Sequence, residues 1–332
     1  MIKPIAILGA GAWGTALAIH LGRHNQPVHL WGRNLKKMKE IQSTRYNSTY
    51  LPYHKLPPSI VCTADLTEAI SQADTILMVV PSHQFRKVLK DIKPHLKDIM
   101  HLVWATKGLE SEQTQLLPYV VETELNREDY AILSGPSFAN EVAQGLPTAV
   151  TLASKSDRVA RQLQERFHYP EFHVYISHDV IGVSLGGTMK NVLAIAVGVA
   201  DGLGLGANTR SALMTRGLSE MQRLGKAIGA NPITFTGLSG VGDLSLTCMD
   251  NQSRNRRLGL ALGKGETLSR AQTQLGLLSE GVSNTKSILE LAKKHKTSLP
   301  ICEMVYAILY EGLNPTIAVH NLLEKGAAYE IE

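Results

Sequence analysis

The chain has 332 residues, 44% of them hydrophobic and 19% charged, with a formal net charge of +5. That length supports two domains and a core that needs no disulfide or structural metal, and the three widely separated cysteines, Cys62, Cys248 and Cys302, exclude a disulfide framework or Cys-x-x-Cys zinc site and fit a reducing compartment. The positive charge is dense only at Lys36-Lys37 with Lys39 and at Arg254 with Arg256-Arg257, and no aromatics alternate with these cations; a nucleic-acid platform is therefore excluded, and small anionic ligands account for the charge better.

In chain order, Ile5-Ala6-Ile7-Leu8 reads as a strand that enters directly after Met1, with no cleavable apolar leader. It runs into Gly9-Ala10-Gly11-Ala12-Trp13-Gly14, and an apolar helical pattern carrying Leu17, Ile19 and Leu21 leaves it. Strand, glycine loop and helix together predict a dinucleotide site. Gly9 permits the tight turn, Gly11 lets a pyrophosphate approach the backbone, and Gly14 lets helix and strand pack closely, with the phosphates on the N–H groups of the helix start.

The next strand, Val28–Trp31, ends at Gly32-Arg33-Asn34, where dinucleotide folds place the group that reads the adenosine ribose. Arg33 stands there instead of a carboxylate, with Lys36 and Lys37 behind it; this suits the 2′-phosphate of NADP, although a solvated helix start would look the same. Further β-like runs cover residues 75–80, 101–105 and 131–133, and their alternation with helical segments implies a mostly parallel sheet. Ligands bind beyond the carboxyl ends of such strands, so Pro81-Ser82-His83, Thr106-Lys107-Gly108 and Ser134-Gly135-Pro136-Ser137 are expected on one rim with the glycine loop. Lys107 is a site candidate on that account, with plain solvation as the alternative. Runs at 148–153 and 172–176, flanking a helix at 157–167, complete a Rossmann-like α/β domain over residues 1–180.

From residue 181 strand-like alternation disappears, and helical patterns at 191–200, 211–228, 256–262, 284–294 and 301–310 predict an all-α domain over 181–332. The longest uncharged apolar stretch, 180–200, is interrupted by glycines and by Lys190, so no membrane span is expected. Lys190 is the only charge there. Either it reaches out to water, or partial desolvation lowers its pKa and readies it for proton exchange, which makes it the best acid/base candidate in the chain. Asp243, at the end of Gly237-Leu238-Ser239-Gly240-Val241-Gly242, either caps the helix that follows or faces the site. Ser253 is a candidate N-cap that puts Arg254, Arg256 and Arg257 in a first helical turn, where basic residues oppose the helix dipole. A bound phosphate reverses that penalty, whereas arginines extended into solvent escape it.

Taken together, these residues resemble the bacterial NAD(P)-dependent glycerol-3-phosphate dehydrogenases over almost the whole chain. The likeness is carried by the glycine loop through Thr15-Ala16-Leu17-Ala18, by Val80-Pro81-Ser82-His83, Trp104-Ala105-Thr106-Lys107-Gly108-Leu109-Glu110 and Ser134-Gly135-Pro136-Ser137-Phe138-Ala139, and by Gly186-Gly187 with Lys190-Asn191, Gly242-Asp243-Leu244 and Asn251-Gln252-Ser253-Arg254-Asn255-Arg256-Arg257. The resemblance implies a cytoplasmic homodimer that interconverts dihydroxyacetone phosphate and sn-glycerol 3-phosphate with NADP or NAD and supplies glycerophospholipid synthesis. It implies Lys190 as the proton donor and acceptor. Lys107, Gly135, Ser137, Asp243, Ser253, Arg254 and Asn255 are the implied substrate contacts. The implied cofactor contacts are Gly9, Gly11, Ala12, Trp13, Gly14, Arg33, Lys107, Ala139, Arg254, Leu278 and Glu280. No metal is implied, and the partner is a small phosphorylated molecule. Ala12 replaces the serine common in that family and Ser137 the threonine, and neither change alters the expected reaction. Two rival readings are a two-domain dehydrogenase for a sugar acid or hydroxy acid and a dinucleotide sensor without chemistry; a sensor has no need of Lys190 or of the arginine-loaded helix start.

Overall fold

The structure is a computed structural model that describes residues 2–276 and 280–324. It divides into two compact units, one comprising Met1–Glu110 and Gln115–Ser184, the other Ser111–Thr114 and Leu185–Glu332. The division falls inside the helix Val180–Gly202, four residues beyond the change in sequence character.

The first unit is built on an eight-stranded sheet of β1 (Ile5–Leu8), β2 (Val28–Trp31), β3 (Ile60–Thr63), β4 (Thr75–Met78), β5 (His101–Trp104), β6 (Tyr130–Ser134), β7 (Thr148–Ala153) and β8 (Phe172–Ser177). The strand order is 8-7-6-5-4-1-2-3. Neighbours are parallel except β6 and β7, which pair antiparallel from Ile132 opposite Ala153 to Ser134 opposite Thr151. The order reverses between β1 and β4, the crevice where dinucleotide folds bind their ligand.

Alternate residues of each strand feed two separate cores. Ile5, Ile7, Leu77, Val103, Ala131 and Leu133 pack with the helices Ala12–Arg23 and Asp157–Phe167. Leu8, Ile76, Met78, Trp104, Tyr130 and Ile132 pack with Ser82–Ile92 and Leu117–Leu125 on the opposite face. Burial on both faces is why these strands read as short unbroken apolar runs. β3 was not expected from the sequence; Ile60, Cys62 and Thr63 are buried in it and Val61 is exposed.

Among the described residues, the second unit consists of helices joined by turns and contains no strand. Besides the helices expected, Asp243–Met249, Leu268–Leu275 and Pro315–Glu324 are present. Val180–Gly202 is long and apolar enough to cross a membrane, yet 89% of its most apolar window is buried inside the protein. Its glycines explain part of that burial. A methyl group on Gly198 would lie 2.2 Å from the Arg256 carbonyl oxygen, and one on Gly259 would lie 2.2 Å from that of Ile195. Gly202 and Gly263 repeat the pairing one turn on, at 2.6 Å from the Leu260 oxygen and 2.3 Å from the Val199 oxygen. The helices Val180–Gly202 and Arg254–Gly263 therefore cross backbone to backbone.

Candidate active site

In the first unit, β1 hands the chain to Gly9, whose φ of +130° only glycine adopts readily, and a methyl group there would lie 2.3 Å from the Val79 oxygen. Gly14 has no room either, since its methyl would meet the Gly9 oxygen at 1.9 Å. Gly11 differs from both. A methyl on Gly11 would meet nothing within 4 Å, and Gly11 is the N-cap of Ala12–Arg23 without any side-chain cap. The first turn carries no carboxylate, and Thr15 N–H donates to the Gly11 oxygen at 3.0 Å. Open space above N–H groups at the positive end of a helix fits a dinucleotide pyrophosphate.

The strand ends meet as expected. The Thr106 hydroxyl donates to the Val80 oxygen at 2.8 Å, and the Lys107 ammonium and Ser137 hydroxyl both donate to the Gly135 oxygen, at 3.2 and 3.1 Å. Gly135 has a φ of +141°, with β7 backbone so close that a methyl would lie 3.0 Å from Val150 Cα. Half-buried Ala12 and Trp13 begin the helix after the glycine loop, and half-buried Ala139 begins Ala139–Gln144. Arg33 is exposed just past β2, next to Asn34, which caps Leu35–Thr44 by accepting from Lys37 N–H at 3.0 Å. Lys37 lies over the Tyr50 ring at 4.3 Å, which leaves Arg33, Lys36 and Lys39 as the exposed basic residues there. Asn47 was not evident from the sequence. Fully buried, it donates to the Ala10 oxygen at 3.0 Å and the Thr15 hydroxyl at 2.8 Å, holding the glycine loop from 37 residues away.

The second unit gathers the charged candidates. Lys190, 9% exposed, donates to Asp243 Oδ1 at 2.5 Å and to the Thr247 hydroxyl at 2.9 Å. Asp243 is fully buried in the first turn of Asp243–Met249, whose N-cap is Gly242, and its carboxylate receives the Lys190 ammonium. Thr247, one turn on, presents its hydroxyl on the same helix face and also donates to the Asp243 carbonyl oxygen at 2.6 Å. Its i, i+4 spacing from Asp243 was the available signal for this third member. Of the two alternatives the sequence left open, Lys190 does not reach out to water: it is turned inward onto this carboxylate and hydroxyl. The preceding turn, Leu238–Gly242, is widened, with Gly242 N–H reaching the Gly237 oxygen at 3.2 Å. Gly186 lets that turn approach, since its methyl would lie 2.3 Å from the Ser239 oxygen.

Ser253 caps Arg254–Gly263 by accepting from Arg256 N–H at 3.2 Å. The three arginines of that turn are not equivalent, which corrects the reading of a uniformly strained helix start. Arg256 is buried and folds back onto Asp201 at 2.6 Å, the Cys248 oxygen at 2.8 Å and the Asn251 side chain. Arg254 and Arg257 are exposed. Asn255 is buried between Asn191 Oδ1, to which it donates at 2.9 Å, and Gly281 N–H, which it accepts at 3.0 Å. It thereby links the residue after Lys190 to the start of Glu280–Lys294, where Glu280 is exposed. Leu278 lies outside the described residues.

Residues 4–160 match the family model for the N-terminus of NAD-dependent glycerol-3-phosphate dehydrogenase, and residues 179–320 match the model for its C-terminus. The chain is 48% identical over 328 residues, 98% of each chain, to glycerol-3-phosphate dehydrogenase [NAD(P)+] of Colwellia psychrerythraea. It is 50% identical over 321 residues, 96% of each chain, to that of Thioalkalivibrio sulfidiphilus. The crystal structure of glycerol-3-phosphate dehydrogenase from Coxiella burnetii superposes with a TM-score of 0.94 at 48% identity, covering 97% of this chain and 99% of that one.

Proposed function

This chain belongs to the NAD-dependent glycerol-3-phosphate dehydrogenase family, and from that premise we propose how its residues share the work. It is an NAD(P)-linked oxidoreductase that interconverts dihydroxyacetone phosphate and sn-glycerol 3-phosphate. The observation that carries the assignment of roles is the buried Lys190 ammonium held between a carboxylate and a hydroxyl.

When bound, NAD(P)H supplies the hydride for the substrate carbonyl carbon. Lys190 meets the negative charge that develops on the carbonyl oxygen, stabilises it and gives it a proton. Asp243 keeps the lysine charged for that task, and Thr247 fixes the direction of the ammonium. In the oxidative direction the lysine, as the amine, takes the hydroxyl proton back. Arg254 at the helix start binds the substrate phosphate, assisted by the helix dipole, with Ser253 and Asn255 beside it. Lys107, Gly135 and Ser137 line the remaining substrate contacts. Gly9, Gly11, Ala12, Trp13, Gly14 and Ala139 hold the dinucleotide, Arg33 accepts the 2′-phosphate of NADP, and Glu280 is a further cofactor contact.

The reaction serves glycerophospholipid synthesis in the cytoplasm, carried out by a homodimer. The full-length likeness to bacterial relatives supports this wider role. Light scattering of the purified chain tests the dimer. The phosphate assignment is tested by Arg254→Ala, which should weaken dihydroxyacetone phosphate by about 2–4 kcal/mol, as when a charge pair loses one partner. Unphosphorylated dihydroxyacetone should be used equally poorly by both proteins; equal losses on the two substrates would move the phosphate elsewhere.

A further inference from the structure

We propose that His20, His24 and Glu171 form a site for one divalent transition-metal ion of the zinc class, at the end of the helix Ala12–Arg23 opposite the glycine loop. His20 and His24 are four residues apart at the helix end, which brings them to one face. Glu171 precedes β8 in the turn bridged by Tyr169 and Phe172. His24 Nε2 lies 2.6 Å from Glu171 Oε1 and His20 Nδ1 lies 3.6 Å from the same oxygen. One donor atom from each residue lies within 4.8 Å of the others.

The second observation is an unmatched atom. His20 is 1% exposed, and its Nε2 lies 3.3 Å from the Phe167 carbonyl oxygen, an acceptor only, so the ring proton belongs on Nε2. Nδ1 is then a buried lone pair, and it has no hydrogen-bond partner. It faces the carboxylate, acceptor against acceptor, and a cation between them converts that repulsion into coordination. Metals bind the unprotonated imidazole nitrogen, and Nδ1 of His20 presents that lone pair toward the carboxylate.

The surroundings fix the ligands. The His24 ring stacks on Tyr169 with centroids 3.7 Å apart, and the His20 ring lies 4.5 Å from Phe172. Two imidazoles and a carboxylate form a zinc donor set, with bonds of about 2.0–2.2 Å that put donors roughly 3.3 Å apart. The 3.6 Å separation fits, and the 2.6 Å contact has to open while the His24 Nε2 proton leaves for Nδ1 or water. Arg23, 3.8 Å from Glu171 Oε1, opposes the ion, but another of its nitrogens is anchored to the Ala143 oxygen at 2.6 Å and its side chain is a third exposed, which screens it. Water completes the coordination.

The test uses the full chain, stripped with a chelator, dialysed and titrated with zinc chloride by calorimetry and with cobalt(II) by visible absorption. One ion per chain, the strong bands of tetrahedral cobalt and a raised unfolding temperature with zinc are expected. Glu171→Gln and His24→Asn should each weaken binding at least about tenfold and abolish the thermal shift, as loss of a ligand outweighs loss of a supporting contact. Glu171→Gln keeps the shape of the side chain and its contact with His24, so folding is retained. His173→Asn, a change at an exposed histidine, should bind like the parent. Absence of stoichiometric uptake, or equal affinity in the parent and both ligand variants, overturns the proposal.

Discussion

The two units solve opposite problems with polar groups. Around its glycine loop the first presents them outward: backbone N–H groups at an uncapped helix start, space above Gly11, exposed Arg33 and half-buried Lys107. The second takes charges inside and matches each one, Lys190 with Asp243, Arg256 with Asp201, and the Glu220 carboxylate with the N–H groups of Ile301 and Cys302. A surface of backbone donors suits a large anionic cofactor that brings its own charge. Interior charges, held without water, suit moving a proton to one atom, because their electrostatic effect is strong and their positions are fixed.

The largest effect expected from breaking this contrast is at Lys190. Lys190→Met should lower turnover by about 10²–10⁴ while leaving NADH affinity near the parental value. It also strands a buried carboxylate, at a cost of about 3–5 kcal/mol of stability in denaturant unfolding. Adding Asp243→Asn should restore most of the stability and none of the turnover. Recovery of neither would mean that Asp243 is not the stranded partner.

Glu220 sharpens the comparison because its carboxylate is matched by N–H groups at a helix start and not by a paired cation. Burial raises its pKa to about 7, so the folded protein keeps a proton that the unfolded chain releases near pH 4.5. The stability linked to that proton is present in full below pH 4.5 and is lost as the pH rises through 7, by about 3 kcal/mol at most. Urea unfolding of Glu220→Gln should show a flattened slope across that window. An unchanged slope would assign the pH dependence to other groups.

In the first unit, two alanine substitutions separate folding from binding. Gly14→Ala should cost about 1–3 kcal/mol of stability, because its methyl meets backbone. Gly11→Ala should leave the melting temperature near the parent and weaken NAD(P)H in a fluorescence titration. Destabilisation by Gly11→Ala would show that the space above it is needed by the fold. The smallest change belongs to Arg33→Asp, which should shift the NADPH to NADH ratio of kcat/KM toward NADH by about 3–10-fold, in keeping with roughly 1 kcal/mol for an exposed charge contact. No movement would remove Arg33 from cofactor choice.

The same contrast explains what the sequence disclosed. The dinucleotide loop is contiguous, with Gly9 and Gly14 pressed against backbone at Val79 and Gly9, and with Gly11 left open, so its conformational demands were readable in order. Lys190, as a single charge in an apolar helix, was also readable. Its partners were not: Asp243 and Thr247 lie more than 50 residues away, and their contact depends on how closely Gly186 lets the turn at 238–242 approach. The arginine-rich helix start looked uniform because sequence carries no side-chain direction, and only the fold sends Arg256 inward to Asp201. Asn47 left no trace for the same reason, since its hydrogen bonds span the gap between the glycine loop and a separate hairpin strand.

The backbone crossing of Val180–Gly202 and Arg254–Gly263 acts as a mechanical stop. With Gly198 and Gly202 seated against Gly259 and Gly263, no side chain stands between the helices to swell or shrink when neighbouring residues change. Leucines and valines around the crossing can be exchanged, and the clearance is still set by main-chain atoms. Lys190 and Asn191 lie about two turns from this stop along one helix, and Arg254 and Asn255 lie about one turn from it along the other. The proposed proton donor and the proposed phosphate anchor are thus gauged from the same fixed point, so drift in the surrounding core changes how firmly the two helices are clamped without changing the interval between the groups they carry.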